Sequence, residues 1–165
     1  MSRSWHSLKM FVFAVAFVLG APQFAAASQA VIPTPADLQA FAAQAAKEKK
    51  PLVVLFEAED CPYCKRVMQE YLNPMSKSKE YQDKVRFLRV DVGSKAALKD
   101  FHGQSTTQAD FARSFRAQLT PTVIVFAPNG RPVSDPIVGF NSPDYYGFYL
   151  DQAIDAGVAK VRGGK

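Results

Sequence analysis

Cys61 and Cys64 stand in the run Cys-Pro-Tyr-Cys and are the only cysteines of the chain. A disulfide that staples a fold normally closes a long loop, because that constrains the unfolded chain most. A three-residue spacing adds little by this route and suits chemistry better than stability. If a helix begins at Cys61, Cys64 lies one turn later, on the same face and within disulfide reach. A sulfur at a helix N-terminus faces unpaired backbone N–H groups and the positive end of the dipole, and both favour thiolate. The expected division of labour is that Cys61 attacks a partner disulfide and Cys64 resolves the mixed disulfide by attacking Cys61. Pro62 fits the first helical turn, where its missing N–H costs nothing. Tyr63 is expected at the surface, able to contact a substrate chain.

Other uses of the pair are weaker. Zinc takes four ligands, whereas the chain beyond residue 27 offers two cysteines and His102, so no metal site is expected. His102 reads as a surface loop residue. Glu57, Glu59 and Asp60 place acids close to the motif, where they oppose thiolate formation. Solvation on a loop accounts for Glu59, while Glu57 is a candidate for tuning or proton transfer.

The elements that must hold this pair follow from the pattern around it. Thr34-Pro35-Ala36-Asp37 reads as a helix start, with Thr34 as N-cap, and Leu38, Phe41, Ala42, Ala45 and Ala46 follow at helical spacing. Leu52 to Phe56 is a continuous apolar run, suited to a strand buried on both faces. From Cys64, the residues Val67, Met68, Tyr71 and Leu72 mark one helical face, expected to end at Asn73-Pro74. Val85 to Val92 reads as a second strand, with a short helix around Ala96 to Phe101. Ser105 or Thr107 caps a helix carrying Phe111, Ala112, Phe115 and Leu119. Thr122 to Phe126 is a third strand, and Asn129-Gly130 a hairpin turn. Pro132 and Pro136 confine Arg131 to Val138 to a sheet edge. Asn141-Ser142-Pro143 opens a last helix with Tyr146, Tyr149, Leu150, Ala153 and Ile154 inward. The strands before the hairpin are expected to pair in parallel, the hairpin adding antiparallel partners. The predicted fold is α/β, a three-layer α/β/α sandwich around a mixed central sheet of about four strands.

The ends and the composition bound the setting. Arg3 and Lys9, the apolar run Met10 to Ala21, and Ala25-Ala26-Ala27 read as a signal peptide cleaved after Ala27. Residues 28–165 then form one domain, with its core at about 34–157, exported to a disulfide-permissive compartment. The formal net charge of +5 falls when Arg3 and Lys9 are removed. The remaining basic residues are scattered rather than striped with aromatics, which argues against nucleic acid as partner. The tail from Lys160 to Lys165 is expected to fray.

Strand, Cys-Pro-Tyr-Cys, helix, then Thr120-Pro121-Thr122 before a strand, Asn-Gly, an edge strand and Gly139 before a final helix together resemble the thioredoxin family, over about residues 34–157. The run Leu55-Phe56-Glu57-Ala58-Glu59-Asp60-Cys61-Pro62-Tyr63-Cys64 is most similar to exported SoxW-like thioredoxins. The resemblance implies a thioredoxin fold and a protein-disulfide reductase without cofactor beyond a redox-active Cys61–Cys64 disulfide. It also implies a cis Pro121 facing the cysteines, Thr120 offering its backbone to an extended substrate, and Gly139 and Phe140 passing close to the site. Substrate contacts then fall on Pro62, Tyr63, Thr120, Pro121, Gly139 and Phe140. The implied setting is periplasmic. The partners are exported protein disulfides or thiols, with a membrane thiol transporter as electron donor. The domain is expected to be a monomer, since no dimerisation arm precedes it. Leu55 stands where cytosolic thioredoxins carry a buried aspartate, and Asp60 where they carry tryptophan. A disulfide-introducing oxidant and a non-redox partner-binding module therefore remain alternatives. Cys-Pro-Tyr-Cys is also usual in glutaredoxins, but no glutathione-binding pattern accompanies it.

Overall fold

The computed structural model describes residues 32–163, so the expected signal peptide and the last two residues of the tail lie outside it. The segment before the first helix stays extended. The Pro33 carbonyl accepts a hydrogen bond from the Arg89 N–H, and the Ala36 carbonyl accepts from the Lys99 N–H. That use of the backbone delays the helix, so α1 covers Leu38–Lys47 and its N-cap is Asp37, which accepts from the Ala40 N–H at 2.8 Å. Thr34 is not the cap.

Strand β1 (Leu52–Glu57) is central. Its first five residues are buried, as a strand covered on both faces requires. It leads into a helical stretch made of α2 (Pro62–Val67), a π-helical turn (Met68–Leu72) and α3 (Asn73–Lys77), followed by α4 (Lys79–Lys84). The expected stop at Asn73-Pro74 is overridden. Proline cannot donate to the ladder and clashes with the carbonyl four residues back. Here the wider turn comes just before it, with the Asn73 N–H bonded to the Met68 carbonyl, and the helix continues past Pro74.

Strand β2 (Arg86–Asp91) pairs with β1 in parallel, Leu52 opposite Arg86 and Glu57 opposite Asp91. The expected helix near Ala96 is instead a small hairpin of β3 (Ala97–Lys99) and β4 (Ser105–Thr107). Asp100 closes its turn by accepting from the N–H groups of His102 and Gln104. Leu98 and Phe101 bury themselves toward α1, which is why the segment is ordered as a pair of strands. Thr107 caps α5 (Gln108–Ser114), accepting from the Asp110 N–H at 3.1 Å.

Strand β5 (Thr122–Phe126) runs antiparallel to β1, with Thr122 opposite Phe56 and Phe126 opposite Leu52. This corrects the parallel pairing expected before the hairpin. The chain leaves β2 and re-enters the sheet at the same end, so β5 must run back alongside β1. The expected edge strand 131–138 shrinks to β6 (Ile137–Val138) and one isolated bridge between Phe126 and Pro132, because Pro132 and Pro136 cannot donate to a ladder. The four-stranded sheet has the order β2-β1-β5-β6. Helix α6 (Pro143–Arg162) buries Tyr146, Leu150, Ala153 and Ile154, but Tyr149 is turned outward, being 46% exposed. The expected fraying from Lys160 does not begin there. The Lys160 ammonium donates to the Val133 carbonyl, and Arg162 to the Asp83 carbonyl.

The sheet thus has α1 and α5 against one face and the α2 stretch and α6 against the other. The three-layer α/β sandwich with a mixed four-stranded sheet is as expected.

Candidate functional site

Cys61 sits just beyond the C-terminal end of β1 as the N-cap of α2, and Pro62 occupies the first helical turn. The chain turns there because Cys61 is extended while Pro62 has a ring suited to helix φ. Cys61 and Cys64 form a disulfide, with their Cα atoms 5.2 Å apart. The Cys64 N–H donates to the Cys61 sulfur at 3.1 Å, so a helix-terminal donor is aimed at this sulfur and not only in its neighbourhood. The two cysteines differ in access. Cys61 is 8% exposed and Cys64 1%, so an incoming sulfur reaches Cys61 first.

Pro62 and Tyr63 are exposed beside the pair. The Tyr63 ring leans on Phe140 at 6.3 Å between centroids. Phe140 is buried, held between Tyr63, Tyr71 and Tyr146, with the Arg66 guanidinium 4.7 Å over its ring. Phe140 therefore supports the surface that Tyr63 presents. The Thr120–Pro121 peptide is cis, as the resemblance implies. Thr122 lies opposite Phe56 in the sheet, so Pro121 lies at the end of β5 next to the end of β1 that feeds the cysteines. The Gly139 N–H donates to the Pro121 carbonyl at 2.7 Å. Gly139 has φ +77°, which an L side chain rarely adopts. Leu119, beside Thr120, is 72% exposed.

Leu55 is buried in the core face that meets α2. Two residues on, and on the same face by strand alternation, Glu57 pairs with Arg89 at 3.0 Å. Burial pushes the Glu57 carboxyl up. Arg89 opposes that shift, and Asp91, its register partner, adds to it. Glu57, Arg89, Asp91 and Gln108 share with Cys64 the wall of a cavity of about 500 Å³. Gln108 accepts from the Asp91 N–H at 2.8 Å. Glu59, although exposed, also lines this cavity, so the structure brings both Glu57 and Glu59 toward the buried cysteine, while Asp60 stays on the exposed turn outside it.

Sequence reasoning missed Arg89, Asp91 and Gln108. One signal was present, namely that Phe87, Arg89 and Asp91 share a strand face, which turns from apolar to charged as it nears the motif. His102 is an exposed turn residue between β3 and β4. Among the described residues no group of three or more His, Cys, Asp or Glu is placed to hold a metal ion. No helix among them is long and apolar enough to cross a membrane.

Residues 38–154 match the thioredoxin-like domain family, and the chain belongs to it. Among solved structures it is similar to the thioredoxin Mala s 13 of Malassezia sympodialis, at 24% identity over 78% of this chain and 92% of that one, with a TM-score of 0.52. It is likewise similar to Trxlp from Edwardsiella tarda, at 24% identity over 73% and 98% of the two chains, with a TM-score of 0.51. These likenesses concern the fold. No curated protein matches the chain closely enough to lend it a function. The thioredoxin-like fold together with the Cys61–Cys64 pair supports thiol–disulfide oxidoreductase activity in general.

Proposed function

We propose that the protein is an exported, SoxW-like thioredoxin that works in the periplasm and reduces disulfides in other exported proteins. Residues 1–27 serve as its signal peptide, and residues 28–165 act as a monomeric domain. The observation that carries the reading is the asymmetry of the pair: Cys61 is the more exposed residue and its sulfur receives the Cys64 N–H, while Cys64 is enclosed. In the reduced protein, that N–H and the helix N-terminus favour the Cys61 thiolate.

The thiolate attacks one sulfur of a partner disulfide. The partner's other sulfur leaves as thiolate and takes a proton, and a mixed disulfide with Cys61 forms. Cys64, deprotonated, then attacks the Cys61 sulfur. The second partner sulfur leaves as a thiol, and the Cys61–Cys64 bond closes. Two electrons have passed to the partner. The protein needs no further cofactor but must be reduced again by a dithiol, for which a membrane thiol transporter is the proposed donor. Thr120 and Pro121 offer backbone to an extended substrate, and Pro62, Tyr63, Gly139 and Phe140 line its approach.

The direction of flow rests on the charges. A strong oxidant is one whose reduced form is stabilised. Here the Cys64 N–H and the helix N-terminus stabilise the thiolate, while Glu57, Glu59 and Asp60 work against them; the acids must outweigh the helix for the dithiol to be the better donor, as the resemblance to exported thioredoxins implies. The test equilibrates the pair against a defined thiol buffer. A potential near the thioredoxin end, about −270 mV, is expected. A value near −120 mV transfers the protein to the oxidant class. Insulin reduction by the wild-type protein, together with a trapped mixed disulfide in Cys64→Ser, excludes a module that only binds partners.

A further inference from the structure

The helical stretch that begins at the cysteines is interrupted by one π-helical turn, Met68–Leu72, after which the Asn73 N–H bonds to the Met68 carbonyl. Such a turn holds one residue more than an α-helical turn and is frequent at functional sites. In an α-helix, residues three and four apart are neighbours on one face. Arg66 and Tyr71 are five apart, yet both lie against the same ring. The Arg66 guanidinium is 4.7 Å over Phe140, and the Tyr71 ring meets Phe140 edge-on at 6.1 Å between centroids. The wider turn between them brings Tyr71 round to that ring.

Both side chains are themselves held in place. The Tyr71 Oη donates to the Pro143 carbonyl at 2.7 Å, and its ring packs on Tyr146 at 5.1 Å between centroids. A Cβ added at Gly147 would sit 3.4 Å from the Tyr71 Cε1, so the ring also lies along the backbone of α6. The Arg66 Nε and Nη2 donate to the two carboxylate oxygens of Glu70 at 2.8 and 3.2 Å. What Tyr71 and Arg66 share is therefore Phe140. Its neighbour Gly139 donates its N–H to the Pro121 carbonyl at 2.7 Å, and the Phe140 ring supports the exposed ring of Tyr63, two residues from Cys61. A displacement of Phe140 would reach Pro121 through the first contact and the surface beside Cys61 through the second.

We propose that Tyr71, placed by the π turn, is a positioning residue for polypeptide substrates. Together with Arg66 it clamps the Gly139–Phe140 loop to the helix that carries the cysteines, and so fixes the Thr120–Pro121 backbone relative to Cys61. The inference rests on the oxidoreductase reading, in which that backbone holds an extended chain while Cys61 attacks its disulfide. A polypeptide must engage the loop side and the helix side together, and it reacts well only if the two are held in one geometry. A small disulfide needs Cys61 alone. The clamp thus acts on the choice of substrate and leaves the chemistry of the cysteine pair as it is.

The test measures second-order rate constants of the reduced protein with insulin and with bis(2-hydroxyethyl) disulfide, and takes their ratio. Tyr71→Ala is expected to lower the insulin rate about tenfold with the small-disulfide rate unchanged, the discrimination that one aromatic contact provides. Tyr71→Phe keeps the ring against Phe140 and is expected to restore the wild-type ratio. Arg66→Gln alters a side chain that is 47% exposed. It is expected to lower the ratio about threefold by removing the cation from the ring, and it decides the question if Tyr71→Ala does not fold. A ratio unchanged in both Tyr71→Ala and Arg66→Gln, or insulin and small-disulfide rates that fall together, overturns the clamp. Failure of the reduced wild-type protein to pass electrons to either disulfide overturns the oxidoreductase reading instead.

Discussion

On the face of the sheet that meets α1 and α5, Leu52, Val54 and Phe56 of β1 and Leu88 and Val90 of β2 stay apolar up to the C-terminal ends of the strands. They run into a cluster of five phenylalanines, Phe56, Phe101, Phe111, Phe115 and Phe126, whose rings meet at 4.9–6.1 Å between centroids. On the opposite face, Val53 and Leu55 give way to Glu57, and Phe87 gives way to Arg89 and Asp91, as the strands approach Cys64. The two faces belong to the same strands and differ by one residue of register. One is a continuous dry layer that anchors the sheet. The other gives up close packing at a single end, and there it places charge, a cavity and the cysteine pair. Chemistry is added to this fold by interrupting one face while the other holds the strands still.

Substitutions on each face break or sharpen that contrast. The largest effect is expected for Cys61→Ser, which removes the attacking sulfur and reduces insulin reduction to background with the melting transition little changed. Phe126→Ala on the anchoring face is expected to do the reverse. It costs about 3–5 kcal/mol in denaturant unfolding, while the folded fraction keeps the wild-type reduction potential. A potential that moved with Phe126→Ala would mean that the two faces are not independent. Gly130→Ala also acts on the anchoring face. Gly130 has φ +81°, and a Cβ there would meet the Phe101 Cβ at 2.7 Å. A loss of about 1–3 kcal/mol is expected, read by the same unfolding experiment.

Glu57→Gln tests the interrupted face. Replacing a carboxylate near the thiols with a neutral amide lowers thiol pKa, so the alkaline rise of the exchange rate should move to lower pH. An unmoved profile would leave Glu57 as a partner of Arg89 alone. The smallest effect belongs to Glu48 at the far corner of the anchoring face. The Arg86 guanidinium bonded to it, helped by Lys50, lowers its carboxyl from 4.5 to about 2, against an upward push from burial. A depressed folded pKa means that the stabilisation is present above the ordinary value and is lost as pH falls through the folded one. Glu48→Gln should therefore flatten the stability profile between pH 4.5 and about 2. The pair is partly exposed, and the amplitude should stay below about 1 kcal/mol.

Much of the site is local and was legible in the chain. The buried run before Cys61, the proline after it and the helical spacing of Val67 and Leu72 place the pair at a strand-to-helix turn. Thr107 as a cap, Asn129-Gly130 as a turn and the prolines of the edge strand are readable for the same reason, since each depends on residues a few positions apart. Elsewhere local signals lost to distant partners. Thr34 and Pro35 looked like a helix start, but Arg89 and Lys99 bond the carbonyls of Pro33 and Ala36 and hold the segment extended. Pro74 looked like a stop, but a π-helical turn absorbed it.

The sequence by itself determined the class of chemistry, most of the order of elements and the three-layer architecture, because periodicity, caps and turn residues act over one or two turns of chain; the β3–β4 hairpin and the helix past Pro74 were decided by packing. Tertiary structure alone decided that β5 runs back along β1. That direction brings Pro121 to the same end as the cysteines, because one sheet edge must accept what the chain delivers there. It also decided which side chains meet across strands, Glu57 with Arg89 and Asp91. Such meetings depend on register and packing between residues tens of positions apart, which no local pattern encodes.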